Sequence, residues 1–197
     1  MFSQNQAQSE IQQGDNRRRE IISATIALIA QKGMEGLRIR DIAETVGINN
    51  ATLHYYFKTK EMLIEGVVNT IVHELVSTRS PGATQPTNPR EELEAHLSDI
   101  LYQIRHTPQR FVVLGELLMR SHHEQAVHAI LKSTDKAWHS FLVDIIKRGV
   151  STGDFNKDID ASSVGHLIMM LLKGSTLQLD ASPDEIEAVI AQVNQLM

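Results

Sequence analysis

The sequence contains no cysteine, a single tryptophan and only five prolines among its 197 residues. Without cysteine, a disulfide framework, a zinc finger, an iron–sulfur cluster and a thiol nucleophile are all excluded. Any regulatory signal must therefore arrive by noncovalent binding rather than by thiol oxidation. No apolar run approaches the roughly 20 residues of a membrane-spanning helix, and residues 1–13 lack the apolar stretch of a secretory signal. These absences predict a soluble, cytoplasmic protein with no membrane partner.

Basic residues are also fewer than acidic ones, because the net charge is −5 and the pI is about 6.0. That balance argues against a protein that coats nucleic acid nonspecifically. The charge is uneven, however: 8 basic and 8 acidic residues lie within residues 1–66, against 11 basic and 16 acidic residues beyond. Residues 38–60 contain four basic side chains and two acidic ones. The sequence therefore predicts an acidic body with one small basic face.

Helical periodicity runs along most of the chain, and the residue alternation typical of strands is missing. We predict a disordered polar tail at 1–13, then a first helix that ends at Gly33 and is capped by Asp15 or Asn16. Short helices follow over 39–46 and after Asn49 or Asn50, and Thr59 caps a fourth helix. Beyond a proline-rich break at 78–89, longer helices are predicted at 90–106, 108–122, 124–150, 160–179 and 183–196.

The fold class is therefore all-α, with about nine helices in two domains. A three-helix N-terminal domain spans residues 14–60, and a larger helical bundle spans residues 61–197. The segment 39–56 has the pattern of a helix-turn-helix: small Ala43 suits the close approach of the two helices, and Gly47 suits the turn between them. Hydrogen-bonding, small and aromatic residues remain outward on the second helix, and none is acidic, as a helix that enters the major groove requires.

The run IRDIAETVGINNATLHYYFKTKEML at residues 39–63 resembles the DNA-binding signature of TetR-type transcriptional regulators. The resemblance implies a homodimer that binds double-stranded operator DNA. It also implies contacts to bases from the Asn49–Asn50 pair and Thr52, and contacts to phosphates from Lys60 and Arg40. Three positions depart from the family pattern: Arg38 replaces a usual Ser or Thr cap, His54 replaces a usual tyrosine, and Ala51 replaces a frequent glycine. The predicted DNA-binding residues are Arg38, Arg40, Asn49, Asn50, Ala51, Thr52, His54, Tyr55, Tyr56 and Lys60.

The same resemblance implies that the last two helices pair with their counterparts in a second subunit. Small residues Ala161, Ser162 and Gly165, with Leu167, Leu171 and Val189, suit that contact. A small-molecule effector would bind among the helices of residues 90–179, and binding would release a repressor from its operator. The predicted ligand-binding residues are Tyr102, Phe111, Leu114, Leu118, His122, Trp138, Phe141, His166 and Met170.

Other interpretations of the same residues stay open at this stage. The three front helices could cap a helical enzyme, although no catalytic constellation stands out, or Tyr55–Phe57 could form a protein-binding patch. The nine histidines suggest a metal site, with His122, His123, His139 and His166 as the set that could converge; surface or pocket roles are favoured, and we predict no metal and no cofactor. The basic run Arg17–Arg19 could be an arm that touches DNA, but a solvated helix end is favoured.

Overall fold

A computed structural model describes residues 2–175 and 182–196, and every regular element in these ranges is an α-helix. The predicted all-α class is confirmed. None of the described helices is long and apolar enough to cross a membrane. The helices are α1 Phe2–Lys32, α2 Ile39–Val46, α3 Asn50–Tyr56, α4 Lys60–Ser77, α5 Pro89–His106, α6 Pro108–Ser121, α7 Gln125–Thr152, α8 Ala161–Ser175 and α9 Pro183–Leu196.

Helix α1 begins far earlier than the sequence suggested. Residues 2–13, expected to be a disordered tail, continue α1, and Asp15 and Asn16 lie inside the helix instead of capping it. Extending an existing helix costs little, because each added residue gains one backbone hydrogen bond once the first turn has formed. The buried face of Ile21, Ile22 and Ile29 supplies that stable nucleus.

The ends of most other helices follow local capping rules. Asn49, Thr59 and Asn88 each accept a hydrogen bond from the backbone N–H three residues later. Pro89 and Pro108 occupy the first helical positions, where a missing N–H costs nothing. The end predicted for the eighth helix, residues 176–179, lies outside the described residues, and α8 is described as far as Ser175.

Two apolar cores divide the molecule, and they do not follow the chain order strictly. The first core contains side chains of α1, α2, α3 and α4, and it also includes Val113 and Leu117 from α6 and Val127 from α7. The second core joins α5, α7, α8 and α9, with Leu142, Ile145 and Ile146 of α7 fully buried at its centre. Helices α6 and α7 therefore tie the front of the molecule to the back. The division at residues 60 and 61 stays a prediction.

Candidate DNA interface and ligand cavity

The turn between α2 and α3 is set by Gly47, which has a left-handed φ of 71°. Its N–H and that of Ile48 donate to the carbonyls of Glu44 and Ala43, at 3.2 and 2.9 Å, which closes a Schellman motif. Glycine adopts this conformation without strain, whereas a Cβ would oppose it. The turn presents α3 at a fixed angle, with Leu53 buried beneath it.

The outward face of α3 carries most of the predicted DNA-binding side chains. Asn50, Ala51, His54 and Tyr55 are exposed, and Tyr55 has 79% of its surface accessible. Tyr56 is half-buried and packs edge to face against Tyr55, with ring centroids 5.3 Å apart. The face thus combines one exposed phenol, one imidazole and one free carboxamide without any carboxylate.

Asn49 and Thr52 are engaged with each other as well as with the backbone. The Asn49 side-chain oxygen accepts from the Thr52 N–H at 2.8 Å and from the Thr52 hydroxyl at 3.0 Å. This cap leaves only the Nδ2 group of Asn49 available as a donor. Of the Asn49–Asn50 pair, Asn50 therefore has the full hydrogen-bonding capacity for a base edge.

Basic side chains flank α3 on both sides. Arg38 is exposed at the start of α2 and makes no side-chain cap, while Arg40 forms an exposed ion pair with Glu44 at 3.4 Å. Lys60 opens α4, where the side chain of Thr59 caps the helix. Next to it, the pKa of Glu61 lies below its ordinary value because its own backbone N–H and the Thr59 hydroxyl bond to the carboxylate. The Glu61 carboxylate therefore lies at the N-terminus of α4, where a phosphate attracted by Lys60 would also lie.

Arg18 also lies at this surface, although the sequence interpretation favoured a solvated helix end for it. Its guanidinium lies 4.4 Å from the centroid of the Phe57 ring and donates to the carbonyl of Tyr56 at 3.3 Å. A cation at the C-terminal carbonyls of α3 is also favourable for the helix dipole. Arg18 is therefore not a purely solvated residue, because it fixes the end of α3 against α1. Its spacing of three and four residues before buried Ile21 and Ile22 was the available signal.

A cavity of about 560 Å³ lies between α4, α5, α6, α7 and α8. Five predicted ligand-binding residues line it: Phe111, Leu114, Leu118, Trp138 and Phe141. The rest of the lining is Val68, Asn69, Val72, Leu75, Val76, His96, Ile100, Leu131, Ser133, Thr134, Asp135, Ala137, Leu172 and Lys173.

Four predicted ligand-binding residues lie elsewhere. Tyr102 stacks on His106 with ring centroids 4.0 Å apart, and His122 is exposed at the end of α6. His166 packs on His139 at 3.8 Å, and Met170 is 64% exposed. None of the four lines this cavity, and their ligand-binding role stays a prediction.

The histidines do not gather as one cluster. His139 and His166 meet because both rings bond to the carbonyl oxygen of Ser162, at 3.1 and 3.0 Å, whereas His122 and His123 lie at the end of α6. Within residues 2–175 and 182–196, no three His, Asp or Glu side chains are placed to hold a metal ion.

Helix α6 contacts both the cavity and the end of α1. Its residues Phe111, Leu114 and Leu118 face the cavity. From another side of α6, the Glu116 carboxylate accepts the backbone N–H of Met34 at 3.1 Å. Arg120 adds an ion pair with Glu35, which follows directly in the connection to α2. One helix thus touches a ligand-sized space and the element that leads into the helix-turn-helix.

Comparison with known proteins agrees with this arrangement. Residues 21–67 match the model for bacterial regulatory proteins of the tetR family, and residues 89–196, more than half of the chain, match the C-terminal domain of BetI-type transcriptional repressors. The chain is 26% identical over 153 residues to the HTH-type transcriptional repressor KstR2 of Mycolicibacterium smegmatis, covering 78% of this chain and 74% of that one. It is 25% identical over 173 residues to the HTH-type transcriptional regulator BetI of Brucella canis, covering 88% and 86%.

A solved structure has the same fold over nearly the whole length. The crystal structure of a Rhodococcus sp. chain assigned to the TetR family superimposes with a TM-score of 0.82 and 25% identity, covering 93% of this chain and 99% of that one. Members of this family bind operator DNA, usually as dimers, and respond to small-molecule effectors. The chain therefore belongs to the TetR family of transcriptional regulators, and it is a DNA-binding regulator and not an enzyme.

Proposed function

We propose that this protein is a homodimeric repressor that leaves its operator when a small molecule occupies the cavity beside α6. The position of α6 is the observation that carries the proposal. Three of its side chains line the cavity, and Glu116 and Arg120 on the same helix hold the Met34–Glu35 connection. A ligand that displaces α6 would shift the end of α1 and, with it, the angle of α3.

The DNA contacts would come from the predicted set, Arg38 to Lys60. Bases would be addressed from the exposed face of α3, foremost by Asn50 and Tyr55, and phosphates by the flanking cations. The acidic body favours this pose, because the excess of acidic residues lies beyond residue 66 and is repelled by DNA. Two such faces, about 34 Å or a multiple apart, would read the two halves of an operator.

The dimer contact would be formed by α8 and α9, as the resemblance implied. Leu167, Met170 and Val189 are large apolar side chains with at least 41% of their surface exposed, and they belong to these two helices. The small residues Ala161 and Gly165 do not face outward as expected: both are buried, and a Cβ on Gly165 would lie 3.4 Å from His139 and Val143 of α7. They serve the packing of α8 on its own chain.

Binding to DNA from the chain's own upstream region, followed by fluorescence anisotropy, tests the proposal. We expect affinity that falls steeply with salt, because phosphate contacts release counterions. In sedimentation, Met170→Glu should give a 22.1 kDa monomer that has lost most operator affinity, whereas Val112→Glu, at an exposed apolar site on α6, should stay dimeric. Absence of any anisotropy change at low salt would refute the repressor assignment. A dimeric Met170→Glu variant would refute only the dimer contact.

A further inference from the structure

The cavity beside α6 is mostly apolar, and most of its polar side chains form hydrogen bonds or ion pairs within the protein; Asn69 and Ser133 are further polar side chains of the lining. Asp135 and Lys173 form an ion pair at 2.5 Å, so the lining carries no net charge. The Thr134 hydroxyl donates to the carbonyl of Ile130 at 3.3 Å, and the indole N–H of Trp138 donates to His96. A ligand therefore meets a wall without net charge, in which Asn69 and Ser133 are exposed polar side chains and His96 is a ring packed among aromatic side chains.

His96 also lines the cavity, and its contact with Trp138 fixes which of its nitrogens carries the proton. The distance between Trp138 Nε1 and His96 Nε2 is 3.0 Å. An indole nitrogen can only donate, so His96 Nε2 must be the unprotonated acceptor and the ring proton must sit on Nδ1. Burial supports the neutral ring, since it lowers the pKa of His96 to about 4, although Asp99 and Glu92 act in the opposite direction.

The Nδ1–H group of His96 is consequently a spare donor. His106 and His166, on α5 and α8, each place Nδ1 on the carbonyl four residues earlier, at 2.7 and 3.0 Å. No such bond forms at His96, and within the described residues only the contact to Trp138 engages the ring in a hydrogen bond. The ring is held edge to face by Phe141 at 4.9 Å and by Trp138 at 6.3 Å. It thus has a fixed position in the cavity wall.

We propose that the cavity binds an uncharged, largely apolar molecule with one hydrogen-bond acceptor, such as a carbonyl oxygen, which accepts the Nδ1–H of His96. The volume of about 560 Å³ lies within the range of about 300–1,000 Å³ that holds small-molecule ligands. The ligand class rests on the proposed function only in taking this cavity as the effector site.

The balanced ion pair disfavours a charged ligand of either sign. An anion attracted by Lys173 would meet the carboxylate of Asp135 beside it, and a cation attracted by Asp135 would meet Lys173. A charged group would also lose its hydration against Val72, Leu114 and Leu172 without a free partner to replace it. A neutral acceptor avoids both penalties and satisfies the spare Nδ1–H donor of His96.

Two aromatic probes of similar shape test the hydrogen bond from His96: the ketone 9-fluorenone, which has an acceptor oxygen, and the hydrocarbon fluorene, which has none. Trp138 is the only tryptophan in the chain and lines the cavity, so its fluorescence reports binding directly. Comparing each probe in the wild type and in His96→Phe cancels the different water solubilities of the probes. We expect His96→Phe to weaken fluorenone binding by about threefold to tenfold relative to fluorene, the range of one neutral hydrogen bond. An equal effect on both probes would overturn the proposed contact.

A second pair of probes tests the charge preference. N-phenyl-1-naphthylamine and 8-anilinonaphthalene-1-sulfonate share their rings and differ by one sulfonate group. The neutral probe should bind at least about tenfold more tightly, because the anionic probe would lose its hydration beside Asp135. Asp135→Asn should reduce the difference in affinity between the two probes, because it removes the carboxylate that pairs with Lys173. Tighter binding of the sulfonate to the wild type would overturn the proposal.

A measurement on the wild-type protein guards against a variant that does not fold. Long-range proton–nitrogen NMR spectra should show His96 as the Nδ1–H tautomer, and 9-fluorenone should shift that nitrogen's signal. The opposite tautomer would overturn the proposal. If the probes bind with the expected selectivity but leave operator affinity unchanged at saturation, the ligand class stands and the effector role fails.

Discussion

Replacing Gly66 by alanine should destabilise the protein even though alanine is the better helix former. Gly66 is buried inside α4, where a Cβ would lie 3.2 Å from Cε1 of Phe57 and 3.3 Å from Cδ1 of Ile22. These neighbours are 1% and 5% exposed, so each has little room to move. Phe57 also caps α3 and carries the Arg18 guanidinium on its ring. The added methyl group therefore presses on the contact that fixes the recognition helix.

The magnitude follows from two opposing terms. Overpacking a well-packed core costs about 1–3 kcal/mol, whereas replacing an interior helical glycine by alanine gains about 1 kcal/mol. The net loss of unfolding free energy should be about 1 kcal/mol, which lowers the Tm of a chain of this size by about 2–4 °C. Operator affinity should fall further than the unfolded fraction explains, because a displaced Phe57 tilts α3.

Two other helical glycines provide matched controls for thermal unfolding. Gly14 lies within α1 with nothing within 4 Å of its virtual Cβ, so Gly14→Ala should keep or raise the Tm. At Gly149 the virtual Cβ overlaps the Phe155 ring, and Gly149→Ala must expel that buried side chain, at a cost of about 3 kcal/mol or more. Circular dichroism melts should rank the variants Gly14→Ala, Gly66→Ala, Gly149→Ala from most to least stable. A Gly66→Ala protein as stable as Gly14→Ala would refute the packing argument.

Three further predictions concern DNA binding and pH. Lys60→Ala should weaken binding to all DNA sequences alike and reduce the salt slope by about one; an unchanged slope in anisotropy titrations would remove the phosphate contact. Arg18→Met should reduce operator affinity through loss of the Tyr56 carbonyl bond, with less loss for Arg18→Lys, while Arg17→Met should have little effect, and equal losses would contradict the role. The free energy of unfolding should decrease as the pH falls from 6.5 towards 4, by at most about 1.4 kcal/mol per unit, because the unfolded His96 ring takes up a proton before the native one does. Urea unfolding of His96→Phe should lack this slope, and His128→Phe, at an exposed site, should retain it.

The helix pattern could be predicted from the sequence because its boundaries are local. Asn49 and Thr59 mark helix starts and Gly47 a helix end by chemistry contained within a few residues. The start of α1 failed for the converse reason, because polar residues 2–13 carry no apolar pattern and their helix depends on the segment that follows.

The ligand cavity could be predicted only in part, because its lining depends on how each helix is rotated. His96 and Tyr102 are six residues apart on α5, which places them about 120° apart around the axis, so a choice between faces decides which one lines the cavity. The sequence interpretation chose Tyr102, and the structure places His96 there. On α8, His166 and Met170 lie outside this lining, whereas Leu172 and Lys173 belong to it.

The bond between Glu116 and the Met34 N–H has a consequence for protein engineering. The backbone at the end of α1, in the N-terminal DNA-binding domain, donates a hydrogen bond to a carboxylate of the C-terminal helical domain. A chimeric regulator that joins a foreign DNA-binding domain to this C-terminal domain would then need a backbone N–H at the equivalent position as a partner for Glu116. Chimeras that change residues 33–35 without changing α6 should still bind the ligand and still bind DNA, but ligand binding should no longer change their affinity for DNA.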